Sequence, residues 1–365
     1  MLLSDRITSV RPSGVRKIFD LANKMKNPIN LSIGEPDFDI PDAIKEEGIK
    51  WIRAGFNKYT PSGGIPELRE KLLKRLQNRK IICDDVILTA GATGGLLLSL
   101  MVTLNPGDEV IIPDPYFVLY EYQIMLLGGK PVFIDTYPDF TIKEDSLRQA
   151  ITNRTRIILI NSPNNPTGKV CSKEELELVA KIALEKNLLV FSDDIYNKFV
   201  YENNSERVYA GQLFDKTITI GGFSKTWAMT GWRLGFVAGP KKIIQSMVTM
   251  QQYVFSSINS FAQKAALLAL DYNTDCLIQD YKRKRDIIYN GLKDKYSVIK
   301  PEGAFFIFPA VPGGDGDKFV EEALKNNLFV IPGSVFSSRK SNIRISFAAS
   351  EEDLLKGIEI LRKMA

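Results

Sequence analysis

Short runs of β-branched residues alternate with helical patterns between residues 84 and 225. The segment DDVILTAGATGGLLLSLMVTL predicts a strand, a tight turn with glycine and an apolar helix. RIILINSPNNPTG and LLVFSDDIY predict further strands, and the amphipathic helix KEELELVAKIALEKN lies between them. This alternation is typical of parallel βαβ units with helices on both faces of a sheet. We therefore expect an α/β fold whose ligands lie beyond the carboxyl ends of the strands.

The pattern changes after about Lys241. Helical stretches are followed there by the short strand-like segments SVIKPEGAFFIFPAV, LFVIPGSVFS and NIRISFAAS. A chain of 365 residues also exceeds the length of one typical domain. We predict a large domain over residues 36–270 and a smaller α+β domain over residues 271–365, with residues 1–35 forming an N-terminal arm that belongs to the small domain.

The chain contains no histidine, and this absence removes several classes of enzyme. A Ser-His-Asp triad, a histidine-bearing zinc site and a histidine general base are all excluded. The three cysteines, Cys83, Cys171 and Cys276, are too few and too scattered for an all-cysteine zinc site. A base working near neutral pH must therefore be a lysine, a carboxylate or a tyrosine, or the chemistry must come from a cofactor.

Charge and cysteine content indicate the cellular setting. The formal net charge of +5 is a weak excess that suits small anionic ligands and does not require nucleic acid. An odd number of widely spaced cysteines is typical of free thiols in a reducing compartment. The first residues lack the apolar core of a signal peptide, and no apolar run reaches membrane-spanning length. We expect a cytoplasmic protein with neither membrane nor nucleic-acid partners.

Several weaker motifs favour ordinary structure over function. GGFSKT lacks the glycine spacing of a phosphate-binding P-loop, and no GxGxxG fingerprint occurs. Asp193–Asp194 has no second acidic cluster to complete a metal site. The stretch 313–317 (GGDGD) predicts a polar turn, and the basic run 282–285 (KRKR) predicts a solvated helix face. We predict no metal.

Four features converge at predicted strand ends. Lys225, in GGFSKTWAMTGWR, follows one buried strand, and Asp193 ends another. Asn165 lies in the turn after a third strand. The turn 91–93 begins a helix, where free amide groups and the helix dipole favour a phosphate. Each feature alone is compatible with a turn, a cap or a surface lysine, but their joint occurrence predicts one site.

The sequence resembles the class I/II aminotransferases, pyridoxal-phosphate enzymes of fold type I, over nearly its whole length. Its motifs resemble most those of archaeal aspartate-type and aromatic-type aminotransferases. It implies a mainly parallel central sheet with helices on both faces, transfer of an amino group between an L-amino acid and a 2-oxo acid, and a homodimer with shared active sites. The segments that carry the resemblance are SIGEPDFDIP, NKYTPSGGIPELRE, LTAGATGG, NSPNNPTGKV, SDDIY, GGFSKTWAMTGWRLGF, PEGAFFIFP, IPGSVFS and NIRISF.

The resemblance also implies roles for individual residues. Lys225 would bind the cofactor aldehyde covalently and then carry a proton between the substrate Cα and the cofactor C4′, since burial and a neighbouring cationic ring depress a lysine pKa. Asp193 would keep the pyridine nitrogen protonated. Asn165 and Tyr196 would donate to the phenolic oxygen, and Phe117 would stack on the ring.

The remaining implied contacts involve two anionic groups. The 5′-phosphate would lie on the turn of Gly91, Ala92 and Thr93, with Ser224, Arg233 and a partner subunit's Tyr59. Arg344 would bind the substrate α-carboxylate, with Gly34 and Asn165 nearby.

Substrate choice and two departures from the family pattern stay open. Gly222 offers only backbone where many relatives carry a phosphate-binding side chain, and no histidine can stand behind Asp193. Either an extra basic residue for a distal carboxylate or an aromatic pocket would set the specificity. Two other functions share the fold, a carbon–sulfur lyase and a cofactor-binding regulator without catalytic activity. The candidate aromatic lining is Phe19, Tyr59, Phe117 and Phe305.

Overall fold

The computed structural model describes residues 7, 10, 14, 27–202 and 207–365. Its centre is a seven-stranded sheet in the order β2-β8-β7-β6-β5-β3-β4, in which only β8 is antiparallel to its neighbours. The predicted α/β class with a mainly parallel sheet is confirmed. The strands are β1 (Ile29–Asn30), β2 (Asp85–Ala90), β3 (Glu109–Asp114), β4 (Lys130–Asp135), β5 (Thr155–Asn161), β6 (Leu189–Asp193), β7 (Thr217–Gly222), β8 (Leu234–Gly239), β9 (Phe306–Ile307), β10 (Leu328–Phe329), β11 (Ile331–Pro332) and β12 (Ile343–Ser346).

Helices cover both faces of this sheet. The helices are α1 (Asp42–Arg53), α2 (Pro66–Asn78), α3 (Gly91–Thr103), α4 (Leu119–Leu126), α5 (Glu144–Gln149), α6 (Lys173–Glu185), α7 (Ala210–Leu213), α8 (Lys241–Val254), α9 (Ser260–Ala269), α10 (Asp275–Leu292), α11 (Gly316–Lys325) and α12 (Glu351–Met364). None of these described helices combines the length and the apolar character needed to cross a membrane.

The central strands are apolar on both sides because both sides are covered. In β5, Ile157 and Leu159 pack with α3, α4 and α8, whereas Ile158 and Ile160 pack with α5, α6 and α7 on the opposite face. Helices α1, α2 and α9 extend that second face over β2 and β8. The period-2 alternation of side chains along each strand thus distributes one apolar run between the two faces of the sheet.

A second core surrounds the short strands near the carboxyl end of the chain. Strands β11, β12 and β9 form an antiparallel sheet, and β1 pairs in parallel with β10. Phe305, Phe329 and Phe347 are fully buried in this core together with α10, α11 and α12. The pairing of β1 brings residues 29–30 of the predicted N-terminal arm to this region. The domain boundaries at residues 35 and 270 stay a prediction.

Three features differ from, or refine, the reading of the sequence. Strand β8 was not predicted, because its glycine-rich LGFVAG sequence follows a long loop and gives a weak strand signal. The basic run 282–285 lies on α10, but the prediction that it forms a solvated helix face was wrong in part. Lys284 and Arg285 are only 6% and 1% exposed. They form salt bridges with Asp37 and Glu202, respectively. The stretch 313–317 forms the predicted turn and supplies the N-cap of α11.

Candidate active site

A large cavity lies where β5, β6 and β7 end. It has a volume of about 480 Å³, within the size range of small-molecule sites. Since parallel strands present their carboxyl ends at one edge of the sheet, residues distant in sequence meet here. Of the thirteen residues predicted for the site, eleven line this cavity: Gly34, Ala92, Thr93, Phe117, Asn165, Asp193, Tyr196, Ser224, Lys225, Arg233 and Arg344.

Asp193 is the last residue of β6 and is 8% exposed. Its Oδ2 accepts a hydrogen bond from the Tyr120 hydroxyl at 2.7 Å, and its Oδ1 accepts one from the Ile195 backbone amide at 3.1 Å. Burial raises the pKa of Asp193, while these two hydrogen bonds and Lys225 act in the opposite direction. The carboxylate is therefore desolvated but held in a fixed orientation, ready to pair with a buried cation.

Tyr120 was missed by the reasoning from sequence. It lies on α4 and lines the cavity three residues after Phe117. Phe117 precedes α4, so helical spacing gave no signal that would place Tyr120 in the site. Tyr120 occupies the place behind Asp193 that the sequence left without a partner. Its own hydroxyl pKa is raised far above the usual value, first by burial and then by the Asp193 charge, so it acts as a hydrogen-bond donor.

Lys225 follows β7 in the loop that connects β7 to β8. Its Nζ donates to the Gly34 carbonyl at 2.7 Å. Burial lowers the pKa of Lys225 to about 8; Arg233 and Arg344 lower it as well, whereas Glu35 and Asp193 raise it. A substantial fraction of this amine is consequently neutral near physiological pH, which is the form that acts as a nucleophile or base.

Arg344 enters the cavity from β12 and is 1% exposed. Its Nη1 donates to Asn165 Oδ1 at 3.1 Å, and its Nη2 donates to the Ser32 carbonyl at 2.6 Å. The guanidinium lies between the rings of Phe306 and Phe336, at 4.5 and 4.7 Å from their centroids. Its buried Nε has no hydrogen-bond partner within the described part of the chain, and burial lowers the pKa of Arg344 to about 10. A buried guanidinium with an unused donor suits a carboxylate ligand.

Asn165 and Tyr196 complete this side of the cavity. The Asn165 backbone amide donates to Asn161 Oδ1 at 2.8 Å, which anchors the turn after β5. The Tyr196 ring packs edge-on against Phe305 and Phe306. Burial raises the pKa of Tyr196, so its hydroxyl stays protonated and can donate.

The opposite end of the cavity is built to receive an anion. Gly91 begins α3 with φ +70°, and a Cβ added there would lie 2.8 Å from Arg233 Nη2. Glycine therefore lets the Arg233 guanidinium approach the amino end of α3, where free amides and the helix dipole attract negative charge. Ser224 is buried here, whereas Thr93 and Arg233 are exposed. Gly91 itself does not line the cavity but allows this approach.

Tyr59 is the other predicted residue outside the cavity lining. It lies in the loop between α1 and α2, and 88% of its surface is exposed. Such exposure is uncommon for a tyrosine that belongs to a core of its own chain. A side chain held outward in this way is available to a second molecule.

The predicted aromatic lining was wrong in part. Phe305 is fully buried and packs against Tyr196, Phe199 and Tyr281, because a β9-flanking phenylalanine faces the second core. Phe19 lies outside the described residues. Further lining residues that sequence reasoning missed are Ser32, Ile33, Glu35, Tyr122, Asn161 and Thr230.

The donor set fits the pyridoxal phosphate that the resemblance implies. The phosphate fits the helix end with Arg233, the aldehyde fits the amine of Lys225, and the ring nitrogen fits the buried carboxylate of Asp193. Gly222 can offer only its backbone to a ligand. A Cβ at this position would lie 3.0 Å from the Ile195 side chain. Within the described residues, no group of three cysteine, aspartate or glutamate side chains is arranged to hold a metal ion.

Comparisons with known proteins agree with this geometry. Residues 26–361 match the family model described as aminotransferase class I and II. The chain is 40% identical to a probable aspartate aminotransferase of Methanocaldococcus jannaschii, with all of both chains covered. It is 38% identical to aromatic-amino-acid aminotransferase 2 of Thermococcus litoralis, with all of this chain and 98% of that protein covered. The solved structure of Thermus thermophilus aspartate aminotransferase with maleate superposes with a TM-score of 0.94 at 33% identity, with full coverage of both chains.

Proposed function

Since this chain belongs to the class I and II aminotransferases and is a pyridoxal-phosphate-dependent transaminase, we propose that its amino-group donor is aspartate or an aromatic L-amino acid and that its acceptor is 2-oxoglutarate. The observation that carries this proposal is the convergence of Lys225, Asp193 and Arg344 in one cavity. They supply a base of lowered pKa, a buried carboxylate and a buried carboxylate-binding arginine.

Three parts of the chain would hold the cofactor. The phosphate would be bound by Ser224, Arg233 and the amino end of α3, including the amides of Ala92 and Thr93 and the turn at Gly91. Phe117 would contact one face of the ring, and Asn165 and Tyr196 would donate to its phenolic oxygen. When bound, pyridoxal phosphate supplies an aldehyde that takes up the amino group and a ring that accepts the electron pair left when the Cα–H bond breaks.

Lys225 is the residue to which we assign the proton transfer. Its Nζ removes the proton from the substrate Cα, and burial brings its pKa down to about 8, closer to neutrality, where a general base is most effective. The Gly34 carbonyl, which accepts from Nζ at 2.7 Å, orients the amine. Asp193 holds the proton on the pyridine nitrogen, and the hydrogen bond from Tyr120 fixes its carboxylate.

Arg344 is the residue to which we assign binding of the substrate α-carboxylate. Its free Nε and its fixed planar geometry suit a two-point contact that a lysine could not reproduce. The hydrogen bonds to Ser32 and Asn165 hold the guanidinium in place before substrate arrives. Because the α-carboxylate is common to amino acids and 2-oxo acids, one arginine serves both half-reactions.

The donor class follows from relatives and from the cavity wall. The Methanocaldococcus relative carries the name of an aspartate enzyme and the Thermococcus relative that of an aromatic enzyme. Phe117, Tyr120 and Tyr122 line the cavity here, which gives aromatic side chains a surface to pack on. We therefore expect both donor types to be accepted.

We also propose that the enzyme works as a cytoplasmic homodimer with shared sites. The exposed Tyr59 would reach the phosphate bound by a second copy. The cysteines Cys83, Cys171 and Cys276 are all free, which agrees with a reducing compartment.

A product assay tests the proposed reaction. The enzyme is mixed with pyridoxal phosphate, 2-oxoglutarate and either aspartate or phenylalanine, and products are identified by mass spectrometry. We expect glutamate and the matching oxo acid in equal amounts. Release of ammonia and an oxo acid without any need for 2-oxoglutarate would instead indicate a lyase. Turnover of other amino acids but neither of these donors would contradict the proposed donor class.

A further inference from the structure

A second, small cavity lies behind the loops that carry Lys225 and Asp193. It has a volume of about 30 Å³, enough for one or two water molecules or a monatomic ion. Its wall includes Arg75 and Arg79 from α2, Lys198 from the segment after β6, and Trp227 from the segment after Lys225. It plays no part in the proposed transamination.

The charges around this cavity are predominantly of one sign. Arg75, Arg79 and Lys198 are half-buried, and within the described ranges no carboxylate forms a salt bridge with any of them. Burial lowers the pKa of Lys198, and the charges of Arg79 and Arg75 lower it further, while Asp275 acts in the opposite direction. Arg75 is affected in the same way by burial and by Arg79, opposed by Asp271. The buried Asp194 interacts with Arg79 in a similar way, so the mutual repulsion of the three cations is only partly offset by carboxylates.

Trp227 provides the second, independent observation. The side chain is 6% exposed, and among the residues that the structure describes its buried Nε1 has no hydrogen-bond partner. An indole N–H can only donate, and a buried donor left unsatisfied is destabilising. The cations are also donors only. Arg75 Nη1 donates to the Leu270 carbonyl, and among the lining side chains Asn197 alone carries an acceptor, so donors outnumber acceptors at this wall.

We propose that this cavity binds a small inorganic anion of halide size. An anion accepts hydrogen bonds from Trp227 Nε1 and neutralises Arg75, Arg79 and Lys198 at the same time. The volume selects against polyatomic carboxylates and favours a monatomic ion. The geometry ties α2 to two loops that carry site residues, because Trp227 lies two residues after Lys225 and Lys198 lies two residues after Tyr196. Anion binding therefore stabilises the folded protein from behind the main cavity.

Thermal unfolding of the holoenzyme tests the proposal. Sodium bromide replaces sodium gluconate at constant ionic strength, and the cofactor-loaded enzyme is used so that the phosphate-binding end of the main cavity is filled. We expect a saturable rise of Tm with bromide. Trp227→Phe and Lys198→Met should each weaken the apparent bromide affinity at least tenfold. Lys181→Met, which removes an equal charge from the exposed face of α6, should leave it unchanged.

Crystals soaked in bromide locate the ion independently of folding effects. We expect an anomalous peak beside Trp227 Nε1 in the unsubstituted enzyme, and its loss in Trp227→Phe. This comparison of crystals does not need Lys198→Met, so it tests the proposal even if that variant does not fold. A peak only at Arg344 would indicate binding at the main site, and an equal loss of Tm response in Lys181→Met would indicate general charge screening. Either result, or no peak at all, would overturn the proposal.

Discussion

The two ends of the main cavity differ in how completely this chain builds them. At the Asp193 end, the carboxylate is buried and receives hydrogen bonds from Tyr120 and Ile195 of the same chain. At the Arg233 end, the guanidinium is exposed and its Nη1 donates to the nearby Thr230 carbonyl at 2.9 Å. Tyr59, which is predicted to complete that end in a partner subunit, does not line the cavity of its own chain and is 88% exposed.

This difference separates what one subunit can do from what an assembly must do. A buried charge is stabilised by fixed hydrogen bonds, so the hydrogen bonds to Asp193 must be supplied by the same folded chain. An exposed cationic end loses strength to solvent screening and gains from a partner that excludes water. In the proposed homodimer, the Asp193 end would be complete within one subunit, whereas the Arg233 end would be completed by Tyr59 of the second copy.

The largest effect is expected at Lys225, which lies between the two ends. Lys225→Ala should lower kcat by roughly 10⁴-fold or more, because general acid–base catalysis alone contributes about 10²–10⁴-fold and the covalent attachment is lost as well. Borohydride should no longer fix the cofactor to the protein. Lys242→Ala, an exposed lysine on α8, serves as the control. A reduced adduct mapped to any lysine other than Lys225 in the unsubstituted enzyme would refute the assignment.

Asp193→Asn tests the closed end. Losing the charge that keeps the ring nitrogen protonated should cost about 3–4 kcal/mol of barrier, roughly 10²–10³-fold in kcat. Asp194→Asn provides the matched control, because Asp194 is also buried and its pKa is also raised, to about 6, chiefly by burial. Steady-state kinetics should show a much smaller effect for Asp194→Asn. Equal effects would mean that burial, and not the contact with the ring, explains the loss.

Arg344→Lys should leave both ends of the cofactor site intact. A single point charge cannot replace a two-point contact, and a hydrogen bond to a charged group is worth about 1.5–3 kcal/mol. We expect kcat/KM for amino acids and for 2-oxo acids to fall by roughly 10–100-fold, with unchanged cofactor affinity measured by equilibrium titration. A loss of cofactor affinity with normal substrate binding would assign Arg344 to the wrong ligand.

Tyr59→Ala tests the open end, with an expected loss of roughly tenfold in cofactor affinity from one missing charge-assisted hydrogen bond. Tyr272→Ala, at another exposed tyrosine, should have no effect. Refolding Tyr59→Ala together with Lys225→Ala creates mixed dimers in which one site has both residues intact. Activity at low cofactor concentration should exceed the weighted mean of the two parents. If confirmed mixed dimers show no gain, the site is completed within one chain.

The smallest effect is expected from Tyr120→Phe, which removes one hydrogen bond to Asp193 and leaves the ring in place. The loss should be about 1 kcal/mol, or roughly fivefold in kcat. Because this hydrogen bond lowers the pKa of Asp193, its removal raises that pKa and the carboxylate becomes protonated at a higher pH. The acid limb of the rate profile should therefore move upward in pH. A uniform loss at every pH would indicate packing damage instead.

The sequence predicted the parts of the site that follow from strand ends and local motifs. Lys225, Asp193 and Asn165 follow apolar runs that only a covered strand explains, so both the sheet and the meeting of these residues could be inferred. Tyr120 could not be assigned to Asp193, because that contact spans 73 residues and depends on how α4 packs. Phe305 was misplaced for a related reason, since alternation within a two-residue strand does not tell which face is the core.

Strand β8 has a consequence for how the site holds together. Because β8 runs against β7, with Gly222 paired to Gly235, the chain leaves and re-enters the same edge of the sheet within one connection. Ser224, Lys225 and Arg233 all lie on that connection. The amine of Lys225 and the guanidinium of Arg233 are thus separated by one continuous stretch of chain, and the number of residues in that stretch sets their spacing. Substitutions elsewhere in the protein leave the number of residues between Lys225 and Arg233 unchanged, whereas one residue inserted between 225 and 233 would change it directly.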